Sequence, residues 1–375
     1  MVFASALETE SVVTGSVLVL GGYGNFGRRI AARLIQHDVP VIVAGRSLDK
    51  AEAEVRALNS SLAKPAAFDA MQALGGQLQA SRPLVAVNTV GPFQTSNYSV
   101  ARCCIAHGVH YVDLADGRDF VTGIVALNED AKRAGVSVIA GASTVPGLSS
   151  AVIEHYAGEF AEIDDLVYGI SPGQKAERGL ATTQGILTYV GKRLRPFAGV
   201  KSPIYGWQDL YRQDYPELGR RWMANCDIPD LDLLPPHYGI KSIRFSAGLE
   251  LSPLHLGLWG LGWLVRLGVP LDLPRHAGLM LKVSNLLNGF GSADGGMHMI
   301  LRGRGKDGTP QERRWFIVAK GGDGPQIACV PAILLARNLA RREEMARGAY
   351  ACVGLVSLED YARELRDYRI AMQLL

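Results

Sequence analysis

Short apolar runs alternate with helically spaced apolar positions through the first 150 residues. Val17 to Leu20 is such a run, the pattern of a strand buried on both faces of a parallel sheet. Arg28 to Leu34 then turns to helical spacing. The alternation continues with a strand at Val39–Ala44, a helix at Leu48–Leu58, a strand at Lys64–Phe68 and a helix at Ala70–Ala80. A fourth strand at Leu84–Val90, a helix at Ser99–His107 and a fifth strand at Tyr111–Ala115 follow. A helix at Leu127–Gly135 leads into Val136–Ala140. This order predicts an α/β fold with a doubly wound parallel sheet. Ligands of such sheets sit beyond the carboxyl ends of the strands.

The pattern changes near residue 150. Ala161–Tyr168 reads as a strand, Leu180–Leu194 as a helix and Lys241–Phe245 as a strand with alternating faces. Met297–Gly303 and Arg314–Ala319 are strands joined by the hairpin signal Gly305–Gly308. These elements predict an α+β second domain with a mixed sheet, over 151–324, for substrate binding and dimerisation. The elements from about 325 to 375 are expected to pack back on the first domain, residues 1–150. Leu254 to Val265 is apolar on every face but too short to span a bilayer. It has to be covered by its own domain, a second subunit, a lipid surface or a long apolar substrate. A homodimer is the favoured cover, and a membrane surface the less favoured one.

The bulk numbers exclude more than they assign. The chain has 375 residues, longer than one ordinary core, and a formal net charge of only +3. Its basic residues are scattered, with Arg28–Arg29 and similar pairs read as solvated faces, so nucleic acid is not an expected partner. The five cysteines lack metal-ligand spacing, and reduced thiols in a cytoplasmic protein are the expectation, with no metal. Met1 to Thr14 has no basic n-region and reads as a ragged tail.

Chemistry first enters after the first strand. Gly22-x-Gly24-x-x-Gly27 lies between strand and helix, where such glycines permit the tight turn, the approach of a pyrophosphate and close helix–strand packing. Tyr23, Asn25 and Phe26 complete this candidate cofactor loop of a Rossmann-type domain. The second strand ends in Gly45-Arg46-Ser47, with no acid for a ribose 2′-hydroxyl. Arg46 and Ser47 instead suit a 2′-phosphate, which selects NADP. Asp69 ends the third strand beside the expected adenine. Val90, Gly91, Pro92 and Phe93 follow the fourth strand and suit the nicotinamide side, with Phe93 read either as a cover for the ring or as a core aromatic.

Five stretches in this order, Gly21–Gly27, Ala44–Ser47, Asn88–Phe93, Tyr111–Ala115 and Gly141–Leu148, resemble the saccharopine dehydrogenase-like family. The resemblance covers residues 15–150 and implies a Rossmann-type domain, NADP(H) and hydride transfer to or from a C=N, C=C or C=O bond. The family's fifth-strand motif continues with Gly-Glu, whereas Asp116-Gly117 stands here, which leaves the family's amino-acid substrate open.

Two catalytic candidates remain on the same rim. Asp113 closes a buried strand, where an unpaired carboxylate is costly; it binds an amine, holds a proton or caps the next turn. Asp116 follows it, and Arg118 is a weaker candidate. Tyr189-x-x-Lys192 is one residue short of the short-chain dehydrogenase spacing and reads as a surface helix pair. His298 reads as a packed or edge histidine, and His110 is no better placed for catalysis. The Tyr189–Trp263 stretch, rich in aromatics, keeps a lipid- or polyketide-linked enoyl substrate in play beside small molecules. A non-catalytic NADP-binding scaffold is the third alternative.

Overall fold

The computed structural model describes residues 15–375; the tail expected at Met1–Thr14 lies outside the described residues. The first sheet is built from β1 (Val17–Leu20), β2 (Val41–Gly45), β3 (Ala63–Ala67), β4 (Val85–Asn88), β5 (His110–Asp113) and β6 (Ser137–Ala140). The helices between them are α1 (Asn25–Gln36), α2 (Leu48–Leu58), α3 (Leu74–Ser81), α4 (Ser99–Ala106), α5 (Arg118–Gly123) and α6 (Asn128–Arg133). All pairings are parallel, in the order β6-β5-β4-β1-β2-β3. The doubly wound sheet predicted from the apolar runs is present. Its order reverses between β1 and β4, which makes the crevice beyond their ends the ligand position. All four residues of β1 are buried, as expected of a strand covered on both faces.

A one-turn segment at Thr144–Leu148 leads into α7 (Ser149–Ala157) and the second domain. Val145 to Leu148 are buried, with Gly147 against Pro331.

The second sheet contains β7 (Phe160–Ser171), β8 (Tyr211–Tyr215), β9 (Gly219–Asn225), β10 (Ser242–Ala247), β11 (Gly295–Gly305) and β12 (Pro310–Ala319). β10 pairs parallel with β7 and the other neighbours are antiparallel, giving the mixed sheet expected. Its helices are α8 (Leu180–Leu187), α9 (Asp230–Tyr238), α10 (Ser252–Arg266) and α11 (Ala277–Leu286). The sequence extends α8 to residue 194; the chain leaves the helix after Leu187. Gly191 adopts φ +70° and packs where a Cβ would come 2.2 Å from the Gly262 carbonyl oxygen, so the backbone turns against α10. That exit frees Tyr189 from a helix surface.

The remaining chain returns to both sheets. α12 (Gly324–Ala340) packs on α1, β4 and β5, and β13 (Gly348–Ala351) adds a parallel edge strand to β6. α13 (Leu358–Glu364) holds Glu364 between Arg33 of α1 and His37 at its C-terminal cap. β14 (Ile370–Leu374) departs from the expectation for 325–375 and pairs with β12 of the second sheet. Its Met372 stands opposite Ile317, and the partly buried Ile370 and Met372 pack on the core.

α10 is apolar on every face, as the sequence indicates, but only partly covered. Only His255 and Gly262 are buried along it, while Leu256, Trp263 and Leu264 are exposed. Its other face, with Leu258, Trp259, Leu261 and Val265, is partly buried and packs on the core. Among the described residues no helix is long and apolar enough to cross a membrane.

Candidate functional site

The end of β1 forms the cradle. Gly27 lies where a Cβ would come 2.1 Å from the Gly21 carbonyl oxygen, so only glycine lets α1 approach β1 this closely. Gly24 is the N-cap of α1 and offers no side-chain cap, and the first turn holds no acid. The free N–H groups and the helix dipole are thus directed at whatever occupies the loop, which suits an anion. Tyr23 crosses from this loop to the end of β2, where its hydroxyl accepts the Ser47 backbone N–H at 3.1 Å. Gly45 makes room for the Tyr23 ring.

Arg46 is exposed and makes no hydrogen bond or ion pair among the described residues. The Ser47 hydroxyl accepts the Lys50 N–H and caps α2. Asp69 accepts the Met71 N–H and shapes the turn after β3. These three residues stand beyond the ends of β2 and β3, on the adenosine side of the cradle. The residues present fit a dinucleotide with a 2′-phosphate.

On the other side of the switch point, the Thr89 hydroxyl donates to the Leu20 carbonyl at 2.8 Å and ties β4 to β1. Val90 is exposed beyond it, and Gly91 and Pro92 are half-buried. Phe93 corrects the ring-cover reading. It is buried and packs on Phe120, with centroids 5.3 Å apart, so its ring belongs to the core.

Asp113 is corrected as well. Its carboxylate is wholly buried, and Oδ1 accepts the N–H groups of Ala115 (2.9 Å) and Gly141 (2.8 Å). Burial pushes its pKa up to about 6, against these hydrogen bonds. It clamps the ends of β5 and β6 and has no face for a substrate. Asp116, three residues on, is half-buried and accepts the Gln94 amide at 3.0 Å. Burial raises its pKa, and the Gln94 hydrogen bond opposes that shift.

The second domain closes over this rim. Ala181 of α8 lies against Gly91, and Gly185 sits against the Gln94 side chain, where a Cβ would come within 2.6 Å. Tyr189, just past α8, shares a hydrogen bond with the Cys226 thiol at 3.0 Å. Burial raises the phenol well above its usual value, and the charges of Asp116 and Asp227 add to the effect. Burial also pushes the Cys226 thiol up to about 12. Both groups therefore stay protonated at neutral pH.

Two cross-domain ties hold the closure. Glu177 pairs with Arg28 and Arg29, and its carbonyl accepts the Asn25 amide at 3.0 Å. The Arg28–Arg29 pair is thus not a solvated face. Arg118 is almost fully buried and donates to Asp232 (2.9 Å), Asp227 (3.0 Å) and the carbonyls of Arg195 and Pro196. The candidate for substrate contact is instead a domain clamp. The histidines are packed, as their sequence context indicates. His298 is fully buried, with Nδ1 2.8 Å from the Tyr215 hydroxyl, and burial lowers its pKa to about 3.

Sequence reasoning missed Gln94, Glu177 and Cys226, and set Tyr189 on a surface. No local signal marks Gln94 or Glu177. The helix-breaking Thr188–Gly191 stretch was the available clue for Tyr189.

The cradle, the unpaired Arg46 and the switch-point crevice together suit NADP(H) at the end of the first sheet. Residues 17–139 match the saccharopine dehydrogenase NADP binding domain family. The first domain is a saccharopine dehydrogenase-like NADP-binding domain. The fold is also similar to apo saccharopine dehydrogenase (L-Glu forming) from Saccharomyces cerevisiae, at 15% identity and a TM-score of 0.66. That likeness covers 96% of this chain and 100% of the yeast one. Amine dehydrogenase from Mycobacterium smegmatis is matched at 13% identity over 91% of this chain and 95% of that chain, with a TM-score of 0.49.

Proposed function

We propose that the protein transfers hydride between NADP(H) and a C=N, C=C or C=O bond held between the two domains, with Tyr189 as proton donor. One observation carries the reading. Asp116, Gln94 and Tyr189, all half-buried and from three separate segments, converge beyond the ends of β4 and β5. NADPH, when bound, supplies the hydride. Reduction of the double bond then requires one proton on the second atom. The Tyr189 hydroxyl has Cys226 behind it as a fixed partner, and its raised pKa means that it gives up its proton only to the strongly basic atom that hydride addition creates. Asp116 and Gln94 orient a polar group of the substrate, and α8 excludes water from the rim. The five free cysteines suit a reducing, cytoplasmic setting.

A second observation favours an apolar substrate. A groove of about 400 Å³ opens where α8 ends, lined by Leu187, Val190, Val265 and Leu273, with Lys192 and Asp272 as its charged residues. A lipid-linked acyl or enoyl chain matches that lining better than a dicarboxylate does.

NADPH oxidation in the presence of small imines, keto acids and enoyl thioesters identifies the bond. With the best substrate, Tyr189→Phe is expected to lower kcat by about 10²–10⁴-fold, the usual worth of a general acid, with NADPH affinity unchanged. An unchanged kcat removes Tyr189 from the chemistry. No oxidation with any of the three classes contradicts the reaction proposed.

A further inference from the structure

The described surface has eighteen exposed large apolar side chains, and ten of them lie between Leu256 and Phe290. On α10 they are Leu256, Trp263 and Leu264, with Leu267 just beyond the helix end. Trp263 and Leu264 stand seven and eight residues after Leu256, and Leu267 three to four further on, with Gly260 open to solvent between, which places them along one outward stripe. α11 repeats the arrangement with Leu279, Val283 and Leu286, followed by Phe290. These are not grazing exposures. Leu267 is 74%, Leu286 82% and Phe290 79% exposed. The segment joining the helices carries exposed Val269 and Leu271, so the apolar character continues from one helix to the other. A patch of this kind marks an interaction surface.

The charges say what covers it. Arg266, Arg275 and Lys282 lie within the same stretch and form no ion pair among the described residues, and Asp272 is its only acid between 252 and 291. Arg266 lies over the rings of Tyr205 (4.1 Å) and Trp263 (4.6 Å), which keeps its stem along the apolar surface beside an interfacial tryptophan. A second copy of the chain, paired about a two-fold axis, would bring the same cations toward one another and offer a single acid in return. An anionic lipid surface meets both features: acyl chains take the leucines and Phe290, and headgroup phosphates take the cations.

We infer that α10, α11 and the segment between them dock on an anionic membrane surface, inserting Leu267, Leu286 and Phe290 below the headgroups without spanning the bilayer. The groove lined by Leu187, Val190 and Val265 opens beside this face, so a membrane-held protein presents it to lipid. The favoured dimer gives way here to a lipid partner. The docking does not depend on the reaction proposed above.

Co-sedimentation of the full chain with vesicles tests the inference. The protein is expected to pellet with phosphatidylcholine–phosphatidylserine vesicles, much less with phosphatidylcholine alone, and to be released by high salt. The double substitution Leu286→Glu/Phe290→Glu should lower that binding at least about tenfold, and Arg275→Glu/Lys282→Glu should remove the preference for the anionic vesicles. All four positions are exposed, and unchanged NADPH affinity verifies the fold of each variant. No pelleting with either vesicle overturns the inference, as does equal binding to both. So does a concentration-dependent doubling of mass without vesicles that Leu286→Glu/Phe290→Glu abolishes, which assigns the face to a second copy.

Discussion

Arg46→Asp weakens NADPH binding about ten- to a hundredfold and leaves NADH binding nearly unchanged. The size follows from losing a charge-assisted contact worth roughly 1.5–3 kcal/mol. Arg46 stands at the end of β2, exposed and without a partner among the described residues, where NAD-specific domains place an acid. Its guanidinium is therefore free to take a 2′-phosphate, and nothing in the fold depends on it. The aspartate adds repulsion toward the phosphate and offers the ribose 2′-hydroxyl of NADH an acceptor. Fluorescence titration with both dinucleotides measures the ratio. Equal affinities for the two in the unaltered protein would remove the role given to Arg46.

Arg118→Met destabilises the protein by about 3 kcal/mol. Truncating one member of a buried charge network leaves its partners uncompensated, a loss of about 3–5 kcal/mol. The low end applies because Asp227 and Asp232 are about a quarter exposed and regain some hydration. Methionine keeps the apolar stem packed, so the charge network alone is removed. Because Arg118 starts α5 while its partners lie at 195–196 and 227–232, the cost falls on the domain junction. Urea unfolding followed by tryptophan fluorescence reads it, since four of the five tryptophans lie at 207–263. A change below about 1 kcal/mol would make the network a surface-type pair.

The parallel sheet was legible because its strands are buried on both faces. Runs such as Val17–Leu20 and Val85–Val87 have no other explanation than that burial. The glycine loop was legible for a related reason: Gly27 meets the backbone of Gly21 directly, within one local motif. Half-buried strands carry no such run. β8, Tyr-Arg-Gln-Asp-Tyr, is mostly polar, and only its pairing with β9 makes it a strand. β13 and β14 likewise depend on edges supplied by distant chain.

The candidate site divides in the same way. Its proposed cofactor half is local in sequence, including the basic end of β2. Its substrate half is assembled by closure. Gln94 meets Asp116 because Gly117 packs tightly on Phe93, and Tyr189 arrives from another domain after a helix that stops early. Asp113 misled for a physical reason. A carboxylate at the end of a buried strand needs partners, and here two backbone N–H groups, one of them from residue 141, bond Oδ1 while Oδ2 has none among the described residues. Arg118 misled because its partners are more than 70 residues away in sequence.

We propose that NADP(H) is held by both domains, with its phosphates on the first and its nicotinamide end under α8 of the second. Hydrogen exchange of the full chain, measured with and without NADPH, tests this most directly. Slowed exchange is expected in two separated regions: residues 21–28 of the cradle, and residues 177–189 from Glu177 through Tyr189. Protection confined to the first domain, with 177–189 exchanging as before, would contradict it.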